Sequence, residues 1–148
     1  MGAIGTGGRK IRTFTGDTWD HFEIIYEYPG DCRISFCSTQ FLKMGWGNAG
    51  QRFNGSKGVY DGHQRPVSIQ GEKPWTPAKE ADREGDSAEI LKMKAFYQSI
   101  IEKKYVNEVA QGVEATLTAI LGRTAAYRSK PITWDELIKE NEELKTDV

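Results

Sequence analysis

The segment from Gln111 to Leu137 constrains the fold of this chain more than any other stretch of its sequence. Its apolar side chains follow the i, i+4, i+7, i+8 spacing of one buried helical face. They are Val113, Leu117, Ile120 and Leu121. Small residues occupy much of the remaining surface, so we expect the helix backbone to lie close to a neighbouring element. These small residues are Ala115, Thr116, Ala119, Gly122, Ala125 and Ala126.

The same segment contains its own helix boundaries. Pro131 ends the first helix, because proline lacks the N–H that the helical ladder needs and disfavours helix in the residue before it. Thr133 followed by Glu136 is typical of a capping box, in which each side chain bonds the other's backbone. The pattern therefore predicts two helices, over residues 107–127 and 133–145, separated by a short break.

The first half of the chain is typical of β-structure. HFEIIYEY, residues 21–28, alternates side chains as a half-buried strand does, and Pro29-Gly30-Asp31 after it is typical of a hairpin connection. A second hairpin is expected around Gly55–Gly58. The predicted strands cover Lys10–Thr15, His21–Tyr28, Arg33–Phe41, Gln51–Asn54, Gly58–Asp61 and Val67–Gln70.

A polar stretch, residues 71–86, separates the strands from the helices and predicts a long surface loop. After it, Asp86 is the expected cap of a helix with a buried apolar stripe. That stripe is Ile90, Met93, Tyr97, Ile100 and Ile101. Strands first and helices afterwards predict a two-layer α+β fold, with a predominantly antiparallel open sheet and helices on one face. We expect residues 1–148 to form a single domain.

The strands carry many aromatic residues for a sheet with one solvated side. Two interpretations remain open: the aromatics lie under the helices, or the outer sheet face is apolar and covered by a partner. The second predicts a homo-oligomer formed through the open sheet face. The aromatics in question are Tyr26, Tyr28, Phe36, Phe41 and Phe53.

Composition excludes several functional classes. The net charge of −1 gives no electrostatic reason to expect nucleic acid or a membrane surface as partner. No apolar run approaches the ~20 residues of a membrane-spanning helix, and no signal peptide is visible, so a cytoplasmic location is the default expectation. Cys32 and Cys37, five residues apart in a predicted strand, should point to opposite faces as small, partly buried side chains. With only two histidines, a zinc site is not expected.

Gly5-Thr6-Gly7-Gly8 resembles the start of a dinucleotide-binding fingerprint. That fingerprint needs a preceding strand, a third glycine and a following helix whose N-terminus binds the pyrophosphate. Lys10 occupies the position of the third glycine, and a β-like segment follows. We therefore predict no cofactor-binding residue here.

Asp20 and His21, within Trp19-Asp20-His21-Phe22, form the most reactive pair of side chains in the chain. Histidine titrates near neutral pH and suits proton transfer. Two interpretations stay open: a histidine bonded to backbone or to Asp20 at a strand end, or a contact to substrate. Sugars present fixed hydroxyl pairs beside apolar C–H faces, so planar polar groups and an aromatic platform suit them. The candidate substrate-binding residues are Asp20, His21, Gln40, Trp46 and Arg52, with Arg12 and His63 on neighbouring loops or strands.

Residues 118–137, TAILGRTAAYRSKPITWDEL, closely resemble the C-terminal end of the Gfo/Idh/MocA oxidoreductases, the family of glucose–fructose oxidoreductase and inositol dehydrogenase. Trp19-Asp20-His21-Phe22, followed by YEYP at 26–29, resembles the start of a central strand in the bacterial branch of that family. Gly55-Ser56-Lys57-Gly58 adds a weaker likeness. The resemblance extends over nearly the whole chain and is poorest in residues 71–86.

The resemblance implies two-domain enzymes that use NAD or NADP to oxidise sugars and polyols. This chain carries no nucleotide-binding domain, so it is expected to hold no cofactor. The family's catalytic Glu-Lys-Pro motif precedes the substrate-domain sheet, whereas Glu72-Lys73-Pro74 follows the predicted strands. We therefore predict no catalytic role for Lys73 and assign no catalytic residue.

Three functional hypotheses follow. The first is a C-terminal substrate-side and oligomerisation domain, a fragment or truncated form without hydride transfer alone. The second is a freestanding carbohydrate-binding or assembly subunit that pairs through its sheet face. The third, an independent lyase or hydrolase, would use Asp20 and His21.

Overall fold

A computed structural model describes residues 1–13, 16–40, 49–63, 67–77 and 87–143 of the chain. Within these ranges it has two open antiparallel sheets and three helices, which confirms the predicted α+β class. The strands are β1 (Gly2–Gly8), β2 (His21–Tyr28), β3 (Cys32–Thr39), β4 (Arg52–Gly55), β5 (Gly58–Asp61), β6 (Ser68–Gly71) and β7 (Ile132–Thr133). The helices are α1 (Ala88–Ile101), α2 (Val109–Arg128) and α3 (Trp134–Glu140).

The chain divides into two compact units. The first combines Met1–Met44 with Asn107–Val148, and the second is Gly45–Val106. The first holds the four-stranded sheet, in the order β3-β2-β1-β7, and the second holds the three-stranded sheet, in the order β4-β5-β6. That residues 1–148 form one domain stays a prediction.

The glycine-rich N-terminus forms a strand, which is not among the strands predicted from the sequence. β1 pairs along its whole length with β2, from Gly2 opposite Glu27 to Gly8 opposite His21. A Cβ at Gly5 would lie 2.9 Å from the Glu23 carbonyl oxygen, so glycine lets the β2 backbone come close. The prediction of a strand over Lys10–Thr15 is wrong for 10–13, which are irregular, and residues 14–15 lie outside the described ranges.

Helix α2 packs on β1 and β2 through its thin C-terminal half. Gly122, Ala125 and Ala126 are buried, which confirms that small residues bring this backbone close to its neighbour. Leu121 is fully buried, whereas Val113 is 52% exposed, so only the later part of the predicted apolar stripe reaches the sheet. The core cluster consists of Ala3, Ile24, Tyr26, Leu121, Ala125, Ile132 and Leu137.

The predicted capping box is present at the start of α3. The Thr133 backbone N–H donates to Glu136 Oε2 at 2.7 Å, and the Glu136 N–H donates to Thr133 Oγ1 at 3.2 Å. The helix ends sooner than predicted, at Glu140, because Asn141 turns left-handed with φ 42°. Leu137 is buried, whereas Ile138 is 46% exposed.

The register of the four-stranded sheet separates its two faces. Ile24 and Tyr26 lie on the α2 face with Phe36, which pairs with Ile24, while Ile25 lies on the open face. Tyr28 shares the α2 face, Phe53 belongs to the second unit, and Phe41 lies outside the described residues. The described aromatics of the first unit therefore avoid the open face.

The two cysteines lie on opposite faces, as predicted. Cys32 pairs with Tyr28 on the α2 face and Cys37 with Glu23 on the open face. Both are exposed and free. The expectation of partial burial is wrong because β3 is an edge strand.

The second unit exposes its helix. Ser87 caps α1 through a 3.4 Å hydrogen bond from the Ile90 N–H, whereas the expected cap, Asp86, lies outside the described residues. None of the α1 residues is buried, so the predicted buried stripe is wrong. Its members, Ile90, Met93, Tyr97, Ile100 and Ile101, are 46% to 73% exposed. Periodicity defines which face is apolar, whereas burial needs a second surface.

Across the described residues, no helix combines the length and apolar character required to cross a membrane.

The close approach of α2 to the sheet makes a prediction for Gly122. A Cβ there would lie 2.7 Å from Tyr26 Cζ and 2.9 Å from Ile24 Cδ1. We expect Gly122→Ala to lower the free energy of unfolding by about 1–3 kcal/mol through overpacking.

Gly112, on the same helix, has nothing within 4 Å of the position that a Cβ would occupy. As the control, Gly112→Ala should stabilise the protein by about 1 kcal/mol through helix propensity. Urea denaturation measures both, and equal effects would contradict the proposed contact.

Candidate functional site at the end of the four-stranded sheet

Asp20 is buried at the point where the chain enters β2, and its carboxylate holds the preceding loop. Asp20 is only 1% exposed. Oδ2 accepts hydrogen bonds from the backbone N–H groups of Lys10 at 2.8 Å, Ile11 at 2.6 Å and Arg12 at 3.0 Å. Three successive amides converging on one oxygen form a small anion cradle, which Asp20 occupies from within the chain.

The backbone of Asp20 joins the ends of three strands. Its N–H donates to the Gly8 carbonyl oxygen at 2.9 Å, at the end of β1. Its own carbonyl accepts from the Gln40 N–H at 2.8 Å, just after β3. Asp20 directly precedes β2. This single residue therefore connects the C-terminal ends of β1 and β3 with the N-terminal end of β2, which all lie at the same end of the sheet.

Two opposing effects act on the pKa of the Asp20 carboxyl. Burial raises the pKa, since it disfavours the charged form. Hydrogen bonds from the Arg12 amide, the His21 ring and the Ile11 and Lys10 amides lower it and outweigh burial, so the pKa lies well below its ordinary value. Asp20 is therefore a carboxylate at neutral pH.

His21 is oriented by that carboxylate. Its Nδ1 lies 2.8 Å from Asp20 Oδ1, and its side chain is 25% exposed. An ionised carboxylate only accepts hydrogen bonds, so the Nδ1–H of the His21 ring donates to Asp20 Oδ1. The absence of a side chain at Gly8 leaves room for the ring, since a Cβ there would lie 3.2 Å from His21 Cε1.

Gln40 and Arg12 complete the cluster. Arg12 Nη2 donates to Gln40 Oε1 at 3.4 Å. The structure thus brings together Asp20, His21 and Gln40 of the five predicted site residues, joined by Arg12, which the sequence analysis also named. A planar amide and a guanidinium, on two residues whose backbone N–H groups bond Asp20, suit a ligand with adjacent hydroxyl groups.

The other two predicted residues are Trp46 and Arg52. Trp46 lies outside the described residues. Arg52 belongs to the second unit, where its Nη2 donates to Asp61 Oδ2 at 2.7 Å. Asp61 is 7% exposed and also accepts from the His63 N–H at 2.9 Å, so Arg52 balances a buried charge.

Sequence reasoning missed two features that matter. The amides of residues 10–12 carry no side-chain signature, so their convergence on Asp20 was invisible. The Arg52–Asp61 pair was accessible, since a hairpin closed at Gly55 and Gly58 places these residues opposite each other. Counting the register outwards from the turn would have found it.

The glycines of β1 do not fit a nucleotide phosphate. Gly5, Gly7 and Gly8 are paired with β2 in the sheet. Residues 9–13 and 16–20 contain no helix, and β2 begins at His21. A dinucleotide site of this kind needs a helix N-terminus directly after the glycines. Within the described ranges no group of three or more His, Cys, Asp or Glu side chains is placed to hold a metal ion.

Comparison of the chain with protein-family models, with curated proteins and with solved structures finds no match.

The Asp20 carboxylate makes a pH-dependent prediction. Because its folded-state pKa is depressed, its stabilising effect is present above the ordinary aspartate pKa of about 3.9. It is lost as the pH falls towards the folded-state value. We expect Asp20→Asn to lower the melting temperature at pH 7, with the gap to wild type narrowing steadily below about pH 4.

Asp17→Asn is the matched control, since Asp17 is an exposed carboxylate in the same connection. It should melt like wild type across the range. A gap for Asp20→Asn that does not change with pH would contradict the assignment of this carboxylate as the group that holds the loop.

Proposed function

We propose that this chain supplies the substrate-side and oligomerisation domain of an NAD(P)-dependent sugar or polyol oxidoreductase, and that it transfers no hydride alone. The resemblance of residues 118–137 and of Trp19-Asp20-His21-Phe22 to the Gfo/Idh/MocA family supports this. The architecture agrees with it, because an open antiparallel sheet is covered on one face by α2.

The observation that carries the proposal is the 2.8 Å bond between Asp20 and His21 at the strand ends. It holds the imidazole in the tautomer whose Nε2 accepts a hydrogen bond from a substrate hydroxyl. Gln40 and Arg12, whose backbone N–H groups bond Asp20, supply further planar polar groups at the same strand ends. In this proposal the cluster binds and orients a hydroxyl pair, while hydride transfer takes place only with a cofactor held by another part of a longer protein.

Binding of the nicotinamide cofactor is the property that separates a complete oxidoreductase from the domain proposed here. The cofactor carries out the hydride chemistry when bound, and the pairing of the β1 glycines with β2 supports placing its site outside this domain. We expect isothermal titration of NAD or NADP into the chain to give no heat of binding. Micromolar affinity for either nucleotide would overturn the proposal.

The substrate role of His21 is testable by NMR, because the chain contains only two histidines. We expect titration with myo-inositol or glucose to shift the imidazole signals of His21 saturably. His63, beside Asp61 in the second unit, is the internal control and should not move. Asp20→Asn should abolish the shift at His21. Equal movement of both histidines, or of neither, would remove the substrate role of this cluster.

A second candidate, an assembly subunit that pairs through its sheet face, has its own supporting observation. Ile4 and Ile25 are direct partners on the open face and are 46% and 45% exposed. Thr6 and Glu23, the next pair towards His21, are polar. A cross-strand isoleucine pair with a polar border is typical of an interface core surrounded by a hydrated rim.

The sheet-face interface makes a prediction for Ile25. We expect Ile25→Lys to shift sedimentation towards the monomer, because it places a charge in the centre of the interface. Ile34→Lys is the matched control: Ile34 is 41% exposed on the same sheet but pairs with Tyr26 on the α2 face. It should leave the association state unchanged. A wild-type chain that stays monomeric at high concentration would argue against this interface.

A further inference from the structure

The three-stranded sheet carries a continuous apolar row on one face. Phe53 pairs with Tyr60, Tyr60 with Ile69, and Ile69 forms an isolated bridge to Trp75. Directly paired residues of antiparallel strands point to the same side of a sheet. These four side chains, here termed the aromatic row, therefore extend across the whole sheet and one position beyond it.

The aromatic row is open to solvent. Phe53 is 60% exposed, Trp75 50% and Ile69 38%. The Phe53 and Tyr60 rings are 5.7 Å apart between centroids and tilted by 43°, so together they form a broad apolar surface. Exposed apolar clusters of this kind mark binding surfaces.

A row of glycines lies beside the aromatic row on the same face. Gly55 pairs with Gly58, and Gly58 with Gly71, each two residues along its strand from the aromatic row. Side chains two residues apart on a strand share a face. The three glycines therefore leave the part of this face beside the aromatic row without side chains. The result is a shallow recess of about 460 Å³ with Phe53, Tyr60 and Ile69 among its lining residues.

Charged side chains complete the lining of the recess. Lys57, Glu72 and Lys73 all contribute to it, and the Glu72 N–H donates to the Lys57 carbonyl oxygen at 2.9 Å, which ties the two segments together. Two cationic groups against one carboxylate favour an anionic ligand. No ion pair joins Lys57 or Lys73 to a carboxylate in the part of the chain that the structure describes.

The shape of the recess restricts what that anion is. A fully apolar ligand needs an enclosed pocket that buries most of its surface, whereas this recess is shallow, with Phe53 more than half exposed. A sugar ring fits better, because its apolar C–H face can lie on aromatic rings while its hydroxyls remain in water. Glu72 can accept hydrogen bonds from those hydroxyls.

We propose that this recess binds a sugar ring that carries a carboxylate. The ring lies against Phe53 and Tyr60, and the carboxylate pairs with the lysine side chains of Lys57 and Lys73. The site belongs to the second unit, and the inference goes beyond the proposed function, since it involves neither the Asp20–His21 pair nor a redox cofactor.

The test is an NMR titration of the whole chain with glucuronate and, separately, with glucose, following the Trp75 indole N–H and the backbone signals of 53–60. We expect saturable shifts with glucuronate in the millimolar range and weaker binding of glucose. The histidine signals that report on the proposed substrate site are read in the same spectra, so failure of one proposal is distinguishable from failure of the other.

Two matched pairs of variants localise the site. Phe53→Ala should weaken glucuronate binding about tenfold through loss of the ring platform, whereas Phe96→Ala, at a ring 57% exposed on α1, should have no effect. The double variant Lys57→Gln with Lys73→Gln should bind both sugars equally. Lys92→Gln, an exposed lysine on α1, should keep the preference for glucuronate.

Three results would overturn the proposal. The first is the absence of a saturable shift with glucuronate in the wild-type chain, a result that does not depend on the folding of any variant. The second is equal binding by Phe53→Ala and wild type. The third is binding of a short acidic peptide, or of a second copy seen as shifts on dilution, more tightly than glucuronate, because either would assign the recess to a different occupant.

Discussion

The close contact between α2 and the β1–β2 pair is the constraint on which the first unit depends. Gly122 lies directly against the Tyr26 ring and Ile24, and Ala125 and Leu121 beside it are fully buried. Interiors are close-packed, so a helix with small residues on its inner face buries apolar surface only by moving its backbone towards the sheet. Burial of Tyr26, together with the neighbouring Tyr28, raises the pKa of its phenol, which therefore stays neutral in the core.

That contact also positions the candidate site. β2 is held on one side by α2 and on its edges by β1 and β3, so its first residues have little freedom. Asp20 completes the arrangement at the strand end, since its carboxylate binds the amides of residues 10–12 and its backbone connects Gly8 with Gln40. A rigid support of this kind is what an oriented imidazole requires. The strand β2 therefore contributes His21 to the site at its start and Ile24 and Tyr26 to the core further along.

Sequence reasoning succeeded where the signal is local. The strand His21–Tyr28 has the bounds read from its alternation, and the Thr133–Glu136 capping box is present, because both depend on neighbouring residues alone. Sequence reasoning failed where a partner surface decides the outcome. The glycines of β1 form a strand through pairing with β2, and the stripe of α1 remains exposed. In the candidate site, Asp20 and His21 are adjacent in sequence. Gln40 and Arg12 come close to Asp20 only because the strands pair in the sheet.

By itself, the sequence of this protein determined the α+β class, the periodicity of its strands and helices, the Thr133–Glu136 capping box, and the adjacency of an aspartate and a histidine. Those properties follow from backbone stereochemistry and from side chains a few residues apart. Only the tertiary structure decided which apolar faces are buried, which residues of the predicted site meet, and that Phe53, Tyr60, Ile69 and Trp75 form one row. The physical reason is that burial and register are properties of two surfaces, and a pattern along one segment describes only one of them.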